Sequence, residues 1–115
     1  LGLSFGLYLS FHSKEAFDQA IDEEYLRVRS LSSEGFIHCS TLEQVVRIAN
    51  GMFAGANDLL LLRLNTEMLN SRIVYENLEG GDQQFPHVYG PIERDAIEVF
   101  PFKWDGETFV LPEFS

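Results

Sequence analysis

The chain has 115 residues, with 18 Asp+Glu against 8 Lys+Arg and a formal net charge of −10. That length suits a single domain, and the acidic balance argues against a basic surface for duplex nucleic acid or an anionic membrane. One cysteine, Cys39, excludes an internal disulfide and a thiolate zinc cage, and fits a reducing, cytoplasmic setting.

Residues 1–11 are apolar but carry interspersed serines and no basic residue. They fall well short of the roughly 20 residues a spanning helix needs. Within them, residues 6–11 (GLYLSF) read as a first strand. Ser13 stands where an N-cap belongs, and Ala16, Phe17, Ala20 and Ile21 recur behind it at helical spacing, which predicts a helix ending near Glu24. Residues 27–33 (RVRSLSS) read as extended or loop-like, and Gly35 opens a short strand over 36–39.

Ser40 and Thr41 precede Glu43 and Gln44 by three places, a capping-box spacing in either register. The helix that follows has Val45, Ile48, Ala49 and Met52 as its buried stripe, with Gly51 and Gly55 as breakers. Residues 59–64 (LLLLRL) read as a central strand covered on both faces, although a buried helix shows the same periodicity. A helical turn over 66–69, a strand over 73–77 and an exposed loop over 78–86 come next. Residues 97–102 and 109–111 read as late strands joined by a hairpin-like turn through Trp104, Asp105 and Gly106. Pro101 places the first of them at an edge or a bulge. Strands outnumber helices without alternating with them, so the class is α+β with two main helices, in one domain over 1–115.

The densest polar stretch runs from Arg29 and Ser30 through residues 34–41 (EGFIHCST) to Gln44. Strand parity puts Phe36, His38 and Ser40 on one face, and Ile37 and Cys39 on the other. Ser40 and Thr41 then lie at a helix N-terminus, where unpaired N–H groups and the dipole favour an anion. Two readings fit: a phosphate- or carboxylate-holding terminus, or a plain cap with an interior histidine. A second cluster, residues 85–91 (FPHVYGP), is stiffened by two prolines and carries His87 and Tyr89 two apart. It reads as a site-bearing rigid loop or as a structural turn. Glu76, in a mostly apolar strand, faces either a cleft or the surface. No metal-ligand spacing, glycine-rich phosphate loop or G-x-S-x-G elbow occurs. Cys39 points away from His38.

The motifs EGFIHCST and FPHVYGP resemble the two signatures of a bacterial family, domain of unknown function 952. So does the supporting pattern of residues 53–55 (FAG), 58–62 (DLLLL), Tyr75–Glu76, Asp95–Ala96 and Asp105–Gly106, and the resemblance covers nearly the whole chain. That family is grouped by fold with the ADP-ribosyltransferase-like proteins, which include NAD-dependent transferases and an RNA 2′-phosphotransferase. The resemblance implies an ADP-ribosyltransferase-like split sheet with a cleft between two small sheets. It also implies a transferase-like domain acting on NAD or on a phosphorylated nucleotide-like ligand, or a catalytically silent domain that keeps the cleft for a small ligand or a protein. His38, Glu76 and His87 would be the catalytic residues. Arg29, Ser30, Ser40, Thr41, Gln44 and Tyr89 would bind the ligand. On the first strand, where relatives often carry a histidine, this chain has Ser10, with His12 two residues on.

Overall fold

The computed structural model describes residues 6–78 and 80–114. The first five residues of the apolar opening stretch, and Glu79 of the expected 78–86 loop, lie outside the described residues. In chain order the elements are β1 (Leu7–Phe11), α1 (Lys14–Ala20), β2 (Tyr25–Leu26), α2 (Arg29–Glu34), β3 (Ile37–His38), α3 (Leu42–Phe53), β4 (Leu60–Leu64), β5 (Arg72–Glu76), β6 (Phe85–Tyr89), β7 (Ile92–Glu93), β8 (Ile97–Pro101), β9 (Lys103–Trp104) and β10 (Phe109–Val110). Two 3-10 turns, Thr66–Met68 and Arg94–Ala96, complete them.

The strands form two three-stranded antiparallel sheets, ordered β1-β4-β8 and β3-β6-β5, and the small pairs β2-β7 and β9-β10. The leucine run of β4 is the middle strand of its sheet, and its alternation divides the core. Leu62 and Leu64 face Leu7, Leu26, Ile37, Cys39 and Val88. Leu61 faces Tyr8, Val45, Ala49, Phe102 and Phe109 on the other side. Leu61, Leu62 and Leu64 are all fully buried, which contributes about 1.5–3 kcal/mol each. A strand covered on both faces shows just this continuous apolar run.

Residues 37–40 join the two sheets. Cys39 N–H donates to Pro86 O at 3.0 Å, on the β6 side. One residue later, Ser40 and Tyr8 exchange N–H···O bonds of 2.8 Å in both directions, so the chain passes to β1. The result is one compact α+β domain with three α-helices among the described residues, and its Cα radius of gyration of 13.5 Å is that of a compact chain of this length.

Several elements differ from the sequence expectation. The first helix stops at Ala20, not near Glu24, because Ile21 is extended and the Asp22 carboxylate accepts from the N–H groups of Glu24 and Tyr25 at 2.7 Å. Such a local bond competes with continuing the helix. Residues 29–34 are helical rather than extended. Gly35, at φ 90°, closes that helix by donating to Leu31 O and Ser30 O, and Leu31 packs on the core. Serine-rich composition hides a short helix of this kind, since its stability comes from packing and its cap rather than propensity.

The helix α3 continues through Gly51, held by the hairpin β9-β10: Asn50 donates to Thr108 Oγ1 at 2.8 Å and accepts from Phe109 N–H at 2.9 Å. Met52, expected to be buried, is 69% exposed. Residues 85–89 form the middle strand of the second sheet rather than a loop. Pro86 is tolerated there because the ladder uses its carbonyl. The strand β8 pairs with β4, not with 109–111, and its Pro101 lies on a sheet edge as expected.

The end of β6 is shaped by one close approach. An added Cβ at Gly90 would lie 2.2 Å from Ser71 Oγ, which donates to Pro91 O at 2.8 Å. Gly90→Ala is expected to cost about 1–3 kcal/mol in a denaturant melt, from overpacking. Adding Ser71→Ala, which removes the clashing oxygen, should recover part of that loss.

Candidate functional site

The register of the second sheet sets out one polar face. His38 on β3 lies directly opposite His87 on β6, and Glu76 on β5 lies opposite Phe85. Side chains two apart share a face, so Phe36, His38, His87, Tyr89 and Glu76 converge. Phe36 stacks on the His87 ring at 4.3 Å, and the His38 ring meets His87 edge-on at 5.1 Å. The opposite parity sends Ile37, Cys39 and Val88 into the core.

Glu76 is the hub of this face. Its Oε1 accepts from His87 Nδ1 at 2.9 Å and, through a short hydrogen bond, from Tyr89 OH. These two bonds hold the carboxyl below the usual glutamate range, Tyr89 contributing most. The same bond pushes the Tyr89 phenol up, because ionising it would lose the bond and set two negative charges together. With Glu76 ionised, the ring nitrogen facing it is the donor. The other nitrogen of His87, Nε2, is fully buried and has no partner. An orphaned polar atom of this kind costs about 1–3 kcal/mol relative to a satisfied one. Arg72 lies over the Tyr89 ring at 5.1 Å and adds positive charge to the cluster.

Beside this cluster, at the seam of the two sheets, opens a cleft of about 570 Å³. Its walls are Tyr8 and Leu9 of β1, Ile48, Met52 and Phe53 of α3, and Phe85 of β6. Its polar groups are Ser10, His38 and Ser40. An apolar hollow with a few convergent polar side chains is the usual form of a small-molecule site. His38, half-exposed there, also places Nε2 3.2 Å from Glu34 Oε1. On β1 it is Ser10, not the exposed His12, that reaches the cleft.

The expected site residues therefore divide. His38 and Ser40 line the cleft. Glu76, His87 and Tyr89 form the hydrogen-bonded cluster, with His87 fully buried beneath Phe36. Gln44 is buried and tied into the fold, accepting from Thr41 N–H at 3.0 Å and donating to Gln84 O at 2.8 Å. Thr41 is the N-cap of α3. Ser30 donates to Phe36 O at 2.7 Å, which fixes the chain as it enters β3. Arg29 opens α2, is exposed, and is not among the residues that line the cleft. Glu34, Phe36 and Arg72 also belong to the site. Parity had already placed Phe36 with His38, Glu34 reaches His38 from four residues earlier through the helix end that sequence reasoning missed, and Arg72 needed the sheet order. Among the described residues, no three His, Cys, Asp or Glu side chains are grouped to hold a metal.

Fold and site together define a small α+β domain with an apolar cleft at the seam of two antiparallel sheets. Residues 11–100 match the family described as protein of unknown function DUF952, and the chain belongs to that family. Among solved structures it is similar to protein CC0527 from Caulobacter crescentus. The crystal structure of that protein is 27% identical, with a TM-score of 0.74 over 90% of each chain. A crystal structure of its double mutant gives 26% identity and a TM-score of 0.73, again over 90% of each chain. The solution NMR structure gives 25% and 0.70, over 92% of this chain and 91% of that one. No curated protein matches. Among the described residues, no helix is long and apolar enough to cross a membrane.

Because the Glu76 pKa is lowered in the folded state, its contribution to stability is full above the ordinary glutamate range and is lost as pH falls through the folded value. Tyr89→Phe removes the larger cause of that shift. Its Glu76 carboxyl should titrate at higher pH by carbon NMR, and its melting temperature should fall less than wild type between about pH 6 and pH 3. An unchanged Glu76 titration would show that Tyr89 does not hold the carboxylate. Burial pushes the Cys39 thiol up to about 12. Thiol reagents at about pH 8 should therefore label Cys39 only on unfolding, since the thiolate is the reactive form.

Proposed function

We propose that this is an ADP-ribosyltransferase-like domain whose cleft takes NAD or another phosphorylated nucleotide-like ligand, with transferase-like chemistry. The observation that carries this reading is the place of the cleft: it opens where residues 37–40 cross from one sheet to the other, and His38, Ser40 and Ser10 converge there from two strands. The likeness of the EGFIHCST and FPHVYGP motifs supports it.

In this reading His38 gives a hydrogen bond or a proton to the ligand, oriented by Glu34. Glu76, ionised and held by His87 and Tyr89, steadies positive charge that develops on the reacting group. It lies across the β5–β6 pair from Phe85, a wall of the cleft. His87 acts through Glu76, since it is buried. Arg29, expected to hold phosphate, is not among the residues that line the cleft, so the ligand's phosphates would lie toward its mouth. One observation favours a second reading, a catalytically silent binding domain: a serine, Ser10, occupies the first-strand place in the cleft.

A thermal-shift titration with NAD and ADP-ribose tests the site, since a ligand at about 100 times its Kd stabilises by about 2.7 kcal/mol. His38→Ala should remove the rise while leaving the unliganded melt nearly unchanged, as His38 is half-exposed. Release of nicotinamide from NAD by wild type, lost in Glu76→Gln, identifies an enzyme. A thermal rise without release identifies the silent binder. No rise with either ligand sinks the dinucleotide reading.

A further inference from the structure

The lining of the cleft carries a charge pattern of its own. Among the described residues that line it, none is lysine or arginine. Its lining includes the aromatic residues Tyr8, Phe53 and Phe85, and its polar side chains are Ser10, Ser40, His38 and the Tyr8 phenol, with Cys39 beside them. Nearby cations are engaged by protein groups: Arg63, across the strand pair from Tyr8, is paired with Glu98. Arg47, next to Ile48, donates to Gln83 Oε1. Arg29 heads α2 and does not line the cleft. The start of α3, which follows Ser40, is also partly spent: Gln44 Oε1 takes the Thr41 N–H, and Glu43 adds a carboxylate in the first turn. A phosphate entering here would give up hydration without gaining a charged donor, in a chain of net charge −10.

We propose that the cleft recognises a flat, uncharged, nucleobase-like heteroaromatic ring, and that phosphates on the ligand remain outside it and add no affinity. This rests on the cleft being the ligand site proposed above, and it sharpens which part of the ligand is read. Flat rings stack on aromatic walls with little dependence on charge. The Ser10 and Ser40 hydroxyls give the directional contacts that select a ring bearing hydrogen-bonding groups.

Calorimetric titration with adenosine, AMP and ADP-ribose, and with guanosine and its monophosphate, tests the proposal. Within each series affinities should agree within about threefold, because a single charge-assisted phosphate contact would change them by about tenfold or more. They should also be insensitive to salt between about 0.05 and 0.3 M. Met52→Lys, at an exposed rim position, should raise affinity for AMP several-fold relative to that for adenosine. Ser40→Ala and Ser10→Ala should weaken both members of each pair equally. A phosphorylated member that binds wild type about tenfold tighter than its unphosphorylated partner overturns the inference and leaves the dinucleotide reading standing, the more so if Arg29→Ala or Arg47→Ala removes the gain. Binding of the ring compounds with no binding of NAD supports the inference and sinks the dinucleotide reading. Failure of every compound overturns both.

Discussion

Two backbone hydrogen bonds, each of 2.8 Å, tie Tyr8 to Ser40 and make one molecule of two small sheets. Neither three-stranded sheet could bury both of its faces alone. The first needs α3 on one side and the second sheet on the other, and the crossing at residues 37–40 supplies that contact. The same crossing creates the cleft, because strands that part at a seam leave space beside it. Tyr8 and Ser40 are therefore both structural ties and cleft walls. A side chain there is held by the backbone that joins the sheets, which is the kind of rigid placement a binding site requires.

The residues around the cleft divide the work between positioning and contact. Ser30, Thr41, Gln44 and Asn50 spend their polar groups on the fold: they fix the entry to β3, the start of α3 and the loop before Phe85, and hold the hairpin against α3. Ser10, His38 and Ser40 remain at the cleft. Hydroxyl and amide side chains near a helix start commonly serve capping, and that is where most of this stretch went. The anion-holding expectation drew in part on the same groups, since the cap takes the Thr41 N–H.

Strand parity made much of this legible in sequence. Phe36, His38 and Ser40 on one face, with Ile37 and Cys39 on the other, followed from a period of two alone, whereas the doubly covered leucine strand showed as a continuous apolar run. What stayed hidden depended on distant partners. Residues 85–89 read as a loop because two prolines and a glycine obscure a strand whose ladder needs only the Pro86 carbonyl. The helix at 29–34 has weak propensity and exists through Gly35 and its packing. The bonds from Glu76 to His87 and Tyr89 required the order β3-β6-β5, which no local pattern encodes. Met52 matched the apolar stripe of α3, yet Val45 and Ala49 of that stripe enter the core while Ile48 and Met52 border the cleft.

The buried cluster on the second sheet runs against the economy of the rest of the core. An aliphatic side chain at position 87 would fill the space beneath Phe36 and leave no orphaned nitrogen, whereas His87 carries a fully buried Nε2 without a partner. A structural role for the histidine is met by its Nδ1 bond to Glu76, but that bond has a purpose only if Glu76 itself must be fixed. The bonds to Glu76 stabilise the fold while it is ionised, but a partly exposed carboxylate at a strand end is solvated without help, so its fixing is more than stability requires. The unfavourable terms thus make sense together rather than singly: Tyr89 and His87 constrain the carboxylate, keep it ionised, and aim it from a rigid strand. Local rules of packing and polar satisfaction are usually broken where a protein does something besides fold, and here the break lies beside the cleft, against its lining residues His38 and Phe85.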